Sequence, residues 1–265
     1  MKRIFITGAS SGIGLAITQG LMARGDEVWG TSRQVSNLPS HERFHAVRLD
    51  LRSTGELEEV FGRALAEAGH FDVVINNAGT GHFGPAELLT ATEIAELFDV
   101  LFFSHVRLMQ LALADMRRRG QGMVINVTSL ATLLPVPFMG AYNAAKSAMA
   151  AFTMSLQIEL GDGNVRVVDV QPADIRTNFN DAVSRNRDTG YEARVAKTWS
   201  AVDTNMKGAP GPELVARAVM RVIDQKNPPM RVIVGDVFQA KIAPFIFRFL
   251  PQRTRIWGLK KYYGI

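Results

Sequence analysis

Ser129, Tyr142 and Lys146 are the residues whose types and spacing can do chemistry together. Residues 141–160 are rich in Ala, Leu, Met and Phe and free of proline, which predicts a helix. On it Tyr142 and Lys146, four apart, share one face. A phenol with an ordinary pKa near ~10 is a poor proton carrier at neutral pH, and a neighbouring ammonium favours its ionised form. Ser129 would hold a substrate oxygen against that phenol. By itself the triplet is equally a chance pattern on a solvated helix, so the elements that position it have to decide.

A chain of 265 residues, 47% of them hydrophobic, suits a single large domain with a substantial core. It has no cysteine, which excludes disulfides, thiolate catalysis and cysteine-ligated metals and fits a cytoplasmic setting. Met1-Lys2-Arg3 and the apolar residues after it mimic a signal peptide, but Gly8, Gly12 and Gly14 interrupt any apolar core. No stretch reads as an uninterrupted membrane span; the apolar residues 237–250 contain Lys241, Pro244 and Arg248. The net charge of +5 permits attraction to anions. A nucleic-acid-binding face would need basic residues interleaved with aromatics, and the densest basic cluster, Arg117-Arg118-Arg119, reads instead as the end of a helix before Gly120.

Along the chain, residues 3–7 are a β-rich apolar run, and Gly8-Ala9-Ser10-Ser11-Gly12-Ile13-Gly14 leads into a helical pattern through Leu15, Ile17 and Leu21. Strand, glycine turn and helix make a phosphate cradle, in which the backbone approaches a pyrophosphate at the helix start. The next strand, residues 27–32, ends at Ser32-Arg33, which offers a hydroxyl and a guanidinium with no carboxylate. At that place in a dinucleotide fold this favours NADP(H) over NAD(H). His41-Glu42-Arg43-Phe44-His45 matches a zinc-protease pattern, but Pro39 precedes it and alternation through residues 44–49 predicts a strand, where the two imidazoles cannot serve one metal. A helix over about 55–68 and a buried strand over about 71–75 follow, with Asn76-Asn77-Ala78-Gly79 at the strand's carboxyl end.

Thr7-Gly8-Ala9-Ser10-Ser11-Gly12-Ile13-Gly14, Asp50-Leu51, Asn76-Asn77-Ala78-Gly79, Ser129 and Tyr142-Asn143-Ala144-Ala145-Lys146 occur in an order and at spacings that resemble the short-chain dehydrogenase/reductase family over nearly the whole chain. The resemblance implies an α/β Rossmann fold, a doubly wound parallel sheet with helices on both faces. It implies that Gly8, Gly12 and Gly14, with Ser10, Ser11 and Ile13 of the same turn, surround a pyrophosphate. Asp50 would contact adenine next to Leu51, and Asn77 would steady the sheet beside the cofactor, flanked by Ala78 and Gly79. Tyr142 would be the general acid/base, Lys146 would lower its pKa and grip the nicotinamide ribose, and Ser129 would orient the carbonyl. Pro172, Ile175 and Thr177 would flank the nicotinamide. Homo-oligomeric association also follows from the resemblance.

Two departures stand out. On a helix expected over about 92–119, Leu101 occupies the place of a catalytic asparagine, and leucine offers no hydrogen bond; Ser104 and His105 are the neighbours able to substitute. Ala173 replaces the usual glycine after Pro172, which requires a negative φ there. Residues 178–212 are expected as a substrate lid, with Tyr191, Trp199 and Met206 as apolar contacts, and residues 133–139 as an apolar wall favouring a hydrophobic ketone or alcohol. In the tail, Pro251 and Gly258 are expected to interrupt a continuous amphipathic helix, and packing onto the body is favoured over contact with an anionic membrane. The function classes left are an NADP(H)-dependent oxidoreductase that uses no metal, a catalytically impaired nucleotide-binding redox sensor of the same fold, and a zinc hydrolase.

Overall fold

Alternation of apolar residues dictates how the sheet is filled. The computed structural model describes residues 1–185 and 190–265. Its central sheet has seven parallel strands: β1 (Arg3–Ile6), β2 (Glu27–Ser32), β3 (Phe44–Arg48), β4 (Val73–Asn76), β6 (Gly122–Val127), β7 (Val165–Pro172) and β9 (Arg231–Val234). Their order is β3-β2-β1-β4-β6-β7-β9, so the order in which strands are added across the sheet reverses between β1 and β4. A separate parallel pair joins β5 (Gly81–Phe83) to β8 (Val183–Arg185). In open sheets of this kind ligands bind at the carboxyl ends of the strands beside such a reversal.

Successive side chains of a strand point to opposite faces. Ile4 and Ile6 therefore pack with Val73 and Ile75 against one helical layer, α1 (Gly12–Ala23) and α7 (Glu213–Asp224). Phe5 and Val74 face the other, formed by α2 (Thr54–Ala68), α4 (Ser104–Arg119) and α5 (Gly140–Leu160). On that side Phe5, Phe61 and Phe71 meet within 5.1 to 5.7 Å, edge-on or tilted.

The helix expected over 92–119 is continuous, but not uniformly α-helical. Between α3 (Ala91–Phe98) and α4, residues Asp99–Phe103 form a wide π turn, and the Ser104 N–H donates to the Asp99 carbonyl. Such turns insert a residue and re-aim the side chains around it. Residues Ala91–Arg119 are long and apolar enough to cross a membrane by length and composition alone, a test that the core helix of a folded domain also passes. Leu97, Leu101, Leu108, Met109, Ala112 and Met116 of this stretch are buried among the protein's own core side chains. At its end Arg118 and Arg119 pair with Asp115, Arg119 also donates to the Phe71 carbonyl, and Gly120 closes the helix at φ 73°.

The remaining helices are α6 (Glu192–Gly208), α8 (Ala243–Phe249) and α9 (Gln252–Tyr263). Pro251 separates α8 from α9 as expected, whereas Gly258 lies inside α9 without interrupting it. A lone glycine costs a helix only about 1 kcal/mol, less than the packing of a helix can supply.

Candidate active site

Thr7, at the end of β1, is the centre from which the cleft is built. Its hydroxyl accepts from the Asn77 and Ala78 amides at 2.9 and 3.0 Å, joining the carboxyl ends of β1 and β4. The Asn77 side-chain amide returns the connection by donating to the Thr7 and Gly8 carbonyls at 2.9 and 3.2 Å. Gly14 must be glycine: a Cβ there would lie 2.0 Å from the Gly8 carbonyl oxygen and 2.4 Å from the Asn77 amide nitrogen. Gly8 has φ +72°, which glycine adopts without strain. The turn therefore lies tight against the sheet, and the start of α1, which carries no acidic residue in its first turn, faces a cleft of about 570 Å³. Gly8, Ser10, Ser11, Gly12, Ile13 and Gly14 line it, as do Ala78 and Gly79. That cradle, backed by a helix N-terminus, fits a dinucleotide pyrophosphate.

At the far end of the cleft lie Ser32, Arg33, Asp50, Leu51 and Arg52. The Arg33 side chain is exposed, and the Ser32 hydroxyl accepts from the Gln34 amide at 3.2 Å. Arg52 grips Asp50 through both of its oxygens, the shortest contact being 2.6 Å. The hydrogen bond from Arg52 is the main influence holding the Asp50 carboxyl below its usual pKa, and Arg33 adds to it. Arg52 was not singled out by sequence, although it directly follows Asp50-Leu51; no spacing rule marks a second guanidinium at this place.

Ser129 follows β6, while Tyr142 and Lys146 stand one turn apart near the start of α5; all three line the cleft. The Ser129 hydroxyl accepts from the Ala131 amide at 3.1 Å and lies near enough to the Tyr142 phenol to influence its ionisation. Burial pushes the Tyr142 phenol above its ordinary pKa, partly opposed by Ser129. The Lys146 ammonium donates to the Val127 carbonyl at 2.8 Å. Burial lowers Lys146 to about 8, opposed by the negative charge of Asp169. Asp169, on β7, is itself buried and receives hydrogen bonds from Thr128, Gln171 and Arg231. A carboxylate among the valines of β7 was the overlooked signal, since such a buried charge persists only when paired.

Leu101 lies fully buried in the π turn. A Cβ placed on Gly79 would come within 3.5 Å of Leu101 Cδ2 and 4.0 Å of Lys146 Nζ, so both side chains approach the same glycine. Of the two neighbours able to replace the absent amide, Ser104 is committed elsewhere, its hydroxyl donating to the Leu51 carbonyl at 2.6 Å. His105 Nε2 lies 3.4 Å from the Thr7 hydroxyl. Burial, then the Lys146 charge, push its pKa down to about 3, so the imidazole is neutral at physiological pH.

An apolar cluster stands beside Tyr142. Phe83, Met139 and Val183 form a buried cluster with Val136, Phe138, Phe179 and Trp199, and Tyr142 packs on it. Val136, Met139 and Phe179 reach the cleft, as does Met206 of α6. Trp199 stands behind this wall, 4.8 Å from the Phe83 ring and under the Arg185 guanidinium, while Tyr191 lies outside the cleft on the surface. Pro172, Ile175 and Thr177 line the opposite edge. Thr177 comes close to the phosphate turn, 3.4 Å from where a Gly12 Cβ would be. Ala173 avoids positive φ and rests where Gly235 leaves it room. Of the expected lid, residues 186–189 lie outside the described residues; the rest forms a short helical turn, β8 and α6.

His41 and His45 lie in a turn and in β3. His45 stacks on Trp29 at 4.0 Å and pairs with Glu67, and His41 Nδ1 accepts from the Arg43 amide. Neither arrangement is the helical pair that a zinc hydrolase requires.

A doubly wound sheet with a glycine cradle at its reversal and a Ser-Tyr-Lys cluster beside it defines a nucleotide-dependent oxidoreductase of the Rossmann type. Comparison with known proteins agrees: the sequence model of the short chain dehydrogenase family matches residues 2–188. A 3-ketodihydrosphingosine reductase from Bacteroides thetaiotaomicron is 30% identical over 99% of this chain and 98% of its own. A short-chain dehydrogenase structure from Streptomyces avermitilis, 28% identical, superposes with a TM-score of 0.83 over 99% of this chain and 96% of that one. A metagenomic short-chain oxidoreductase solved with NADP is 27% identical at a TM-score of 0.72, covering 88% and 96%. Structures of this fold hold NADP in some cases and NAD in others. The chain belongs to the short-chain dehydrogenase/reductase family.

Proposed function

We propose that this oxidoreductase interconverts a hydrophobic ketone or aldehyde and the corresponding alcohol with NADP(H), using Tyr142 as general acid/base. The observation that carries the reading is one cleft with the glycine cradle in the middle, two guanidiniums at one end, and Ser129, Tyr142 and Lys146 against an apolar wall at the other. Gly8 to Gly14 would hold the pyrophosphate, and Arg33 and Arg52 the 2′-phosphate. Pro172, Ile175 and Thr177 would hold the nicotinamide, which supplies or receives the hydride.

In reduction, negative charge develops on the carbonyl oxygen. Ser129 and Tyr142 donate hydrogen bonds to it, and the phenol gives up its proton to complete the alcohol. A pKa raised by burial keeps Tyr142 protonated at neutral pH, the form a general acid needs. In oxidation the same oxygen accepts the proton. Lys146, fixed on the Val127 carbonyl, keeps a positive charge near the phenol at pH values below about 8 and replenishes its proton. Val136, Met139, Phe179 and Met206 exclude water and select an apolar substrate. Homo-oligomeric association belongs to the same reading; Met154 and Ile158 leave apolar side chains exposed on α5.

One observation favours a second reading, a catalytically impaired nucleotide-binding redox sensor. Leu101 puts an alkyl group near Lys146, and Ser104 and a neutral His105 do not replace a hydrogen-bonded relay. A screen of NADPH and NADH oxidation over apolar ketones, aldehydes and sugars separates the two. The enzyme reading expects turnover with apolar carbonyls and faster use of NADPH; tight nucleotide binding with no turnover anywhere supports the sensor.

A further inference from the structure

The last segment of the chain, residues 237–265, carries Lys241, Arg248, Arg253, Arg255, Lys260 and Lys261 and no aspartate or glutamate. With 30 basic and 25 acidic residues in the whole sequence, the remainder holds 24 against 25. The protein's entire positive excess therefore resides in this segment. The same stretch exposes large apolar side chains: Phe245 is 67% accessible, Phe249 69% and Trp257 61%, and Val237, Phe238 and Ile256 are exposed with them. Exposed aromatics alternating with cations are costly in water and favourable at a lipid headgroup boundary.

The segment is built rather than loose. Phe245 and Phe249 meet edge-on one turn apart at 5.2 Å. Across the Pro251 break, Arg255 donates to the Leu250 and Arg248 carbonyls at 2.7 and 3.0 Å and lies over the Phe247 ring, fixing α9 against α8. Lys261 rests over Trp257 at 5.4 Å, so cation and indole are presented together. The segment is also tied to the cleft. Gln239 donates to Asp174 at 2.6 Å and to the Tyr262 hydroxyl at 3.1 Å, and Asn205 of α6 donates to the same hydroxyl. Tyr263 is buried and, with Asn205 and Met206, lines the cleft.

We infer that residues 237–265 dock this protein onto an anionic lipid surface, with the apolar side chains of α8 and α9 in the headgroup boundary and the cleft beside that surface. Charge complementarity selects this occupant over a second copy of the chain. A two-fold contact through this segment would set two acid-free basic surfaces against each other, whereas an anionic leaflet neutralises them. Docking in this way gives an apolar substrate a route from the lipid to the wall formed by Val136, Met139 and Phe179. The docking itself does not depend on the cofactor reading.

The test is co-sedimentation of the full chain with vesicles of phosphatidylcholine containing phosphatidylglycerol, and with vesicles of phosphatidylcholine alone. Binding to the anionic vesicles at least about tenfold tighter, weakening with added salt, is expected. Addition of anionic vesicles should shift tryptophan emission to the blue, and the shift should vanish in Trp257→Phe. The Lys260→Glu/Lys261→Glu pair should lower affinity at least about tenfold while turnover of a water-soluble carbonyl is unchanged. Equal or absent binding to the two vesicle types overturns the inference. So does a dimer, seen by light scattering of the unaltered protein, that dissociates in Phe245→Ser/Phe249→Ser and ignores vesicles. The unaltered protein's emission decides the matter even if a variant fails to fold.

Discussion

At the residue scale, the assigned chemistry depends on two buried groups held in unusual protonation conditions. Tyr142→Phe keeps the ring and its apolar packing but removes the proton, so turnover should fall by at least about a thousandfold with NADPH affinity nearly unchanged, read by steady-state kinetics and nucleotide titration. Lys146 works against stability. Its amine titrates near 8 in the fold against 10.5 when exposed, so the unfolded chain binds more protons between those values and stability rises with pH across that window. Lys146→Met should therefore gain relative to the parent at pH 7, an advantage about 2 kcal/mol larger there than at pH 10, measured by denaturant unfolding at both pH values. Arg33→Ala should weaken NADPH binding about tenfold and leave NADH binding unaltered, measured by titration. These residues differed in how legible they were. Ser129, Tyr142 and Lys146 sat in recognisable spacings, but Asp169 comes into position only through strand neighbours, Arg52 is marked by no spacing rule, and the phenol's raised pKa depends on burial, which spacing does not encode.

At the element scale, the turn after β1 and the π turn before α4 set the geometry. Strand, glycine turn and helix could be read directly because each glycine answers a local demand, most plainly Gly14, whose missing Cβ admits the Gly8 carbonyl. The π turn could not be read: residues 91–119 carry one apolar pattern throughout, and nothing local marks the extra residue at Asp99–Phe103. Gly258 failed as a helix breaker because a lone glycine costs a helix only about 1 kcal/mol. His105, held in this helix as a neutral base with a pKa of about 3 against 6.5 unfolded, makes the fold lose stability as pH falls from 6.5 towards 3. His105→Gln should remove that dependence and be favoured over the parent by about 3 kcal/mol more at pH 4 than at pH 7, read from urea midpoints. Leu101→Asn tests the same element for function: faster turnover at unchanged KM would show that the alkyl group beside Lys146 limits proton delivery.

Over the whole molecule, the proposed function divides one cleft by position, with the nucleotide at the β1/β4 reversal and the substrate toward β7, α6 and the tail. The doubly wound parallel sheet was implied by the family resemblance, whereas the concentration of all the excess positive charge in residues 237–265 became meaningful only once those side chains were seen exposed beside the cleft. The proposed reaction is NADP(H)-dependent carbonyl reduction through Tyr142 in that cleft. It is tested by NADPH oxidation with a panel of apolar ketones by the unaltered protein and by Tyr142→Phe, with nucleotide binding measured on both. Turnover by the first, its loss in the second and equal NADPH binding by the two are expected; turnover that persists in Tyr142→Phe would rule the reaction out.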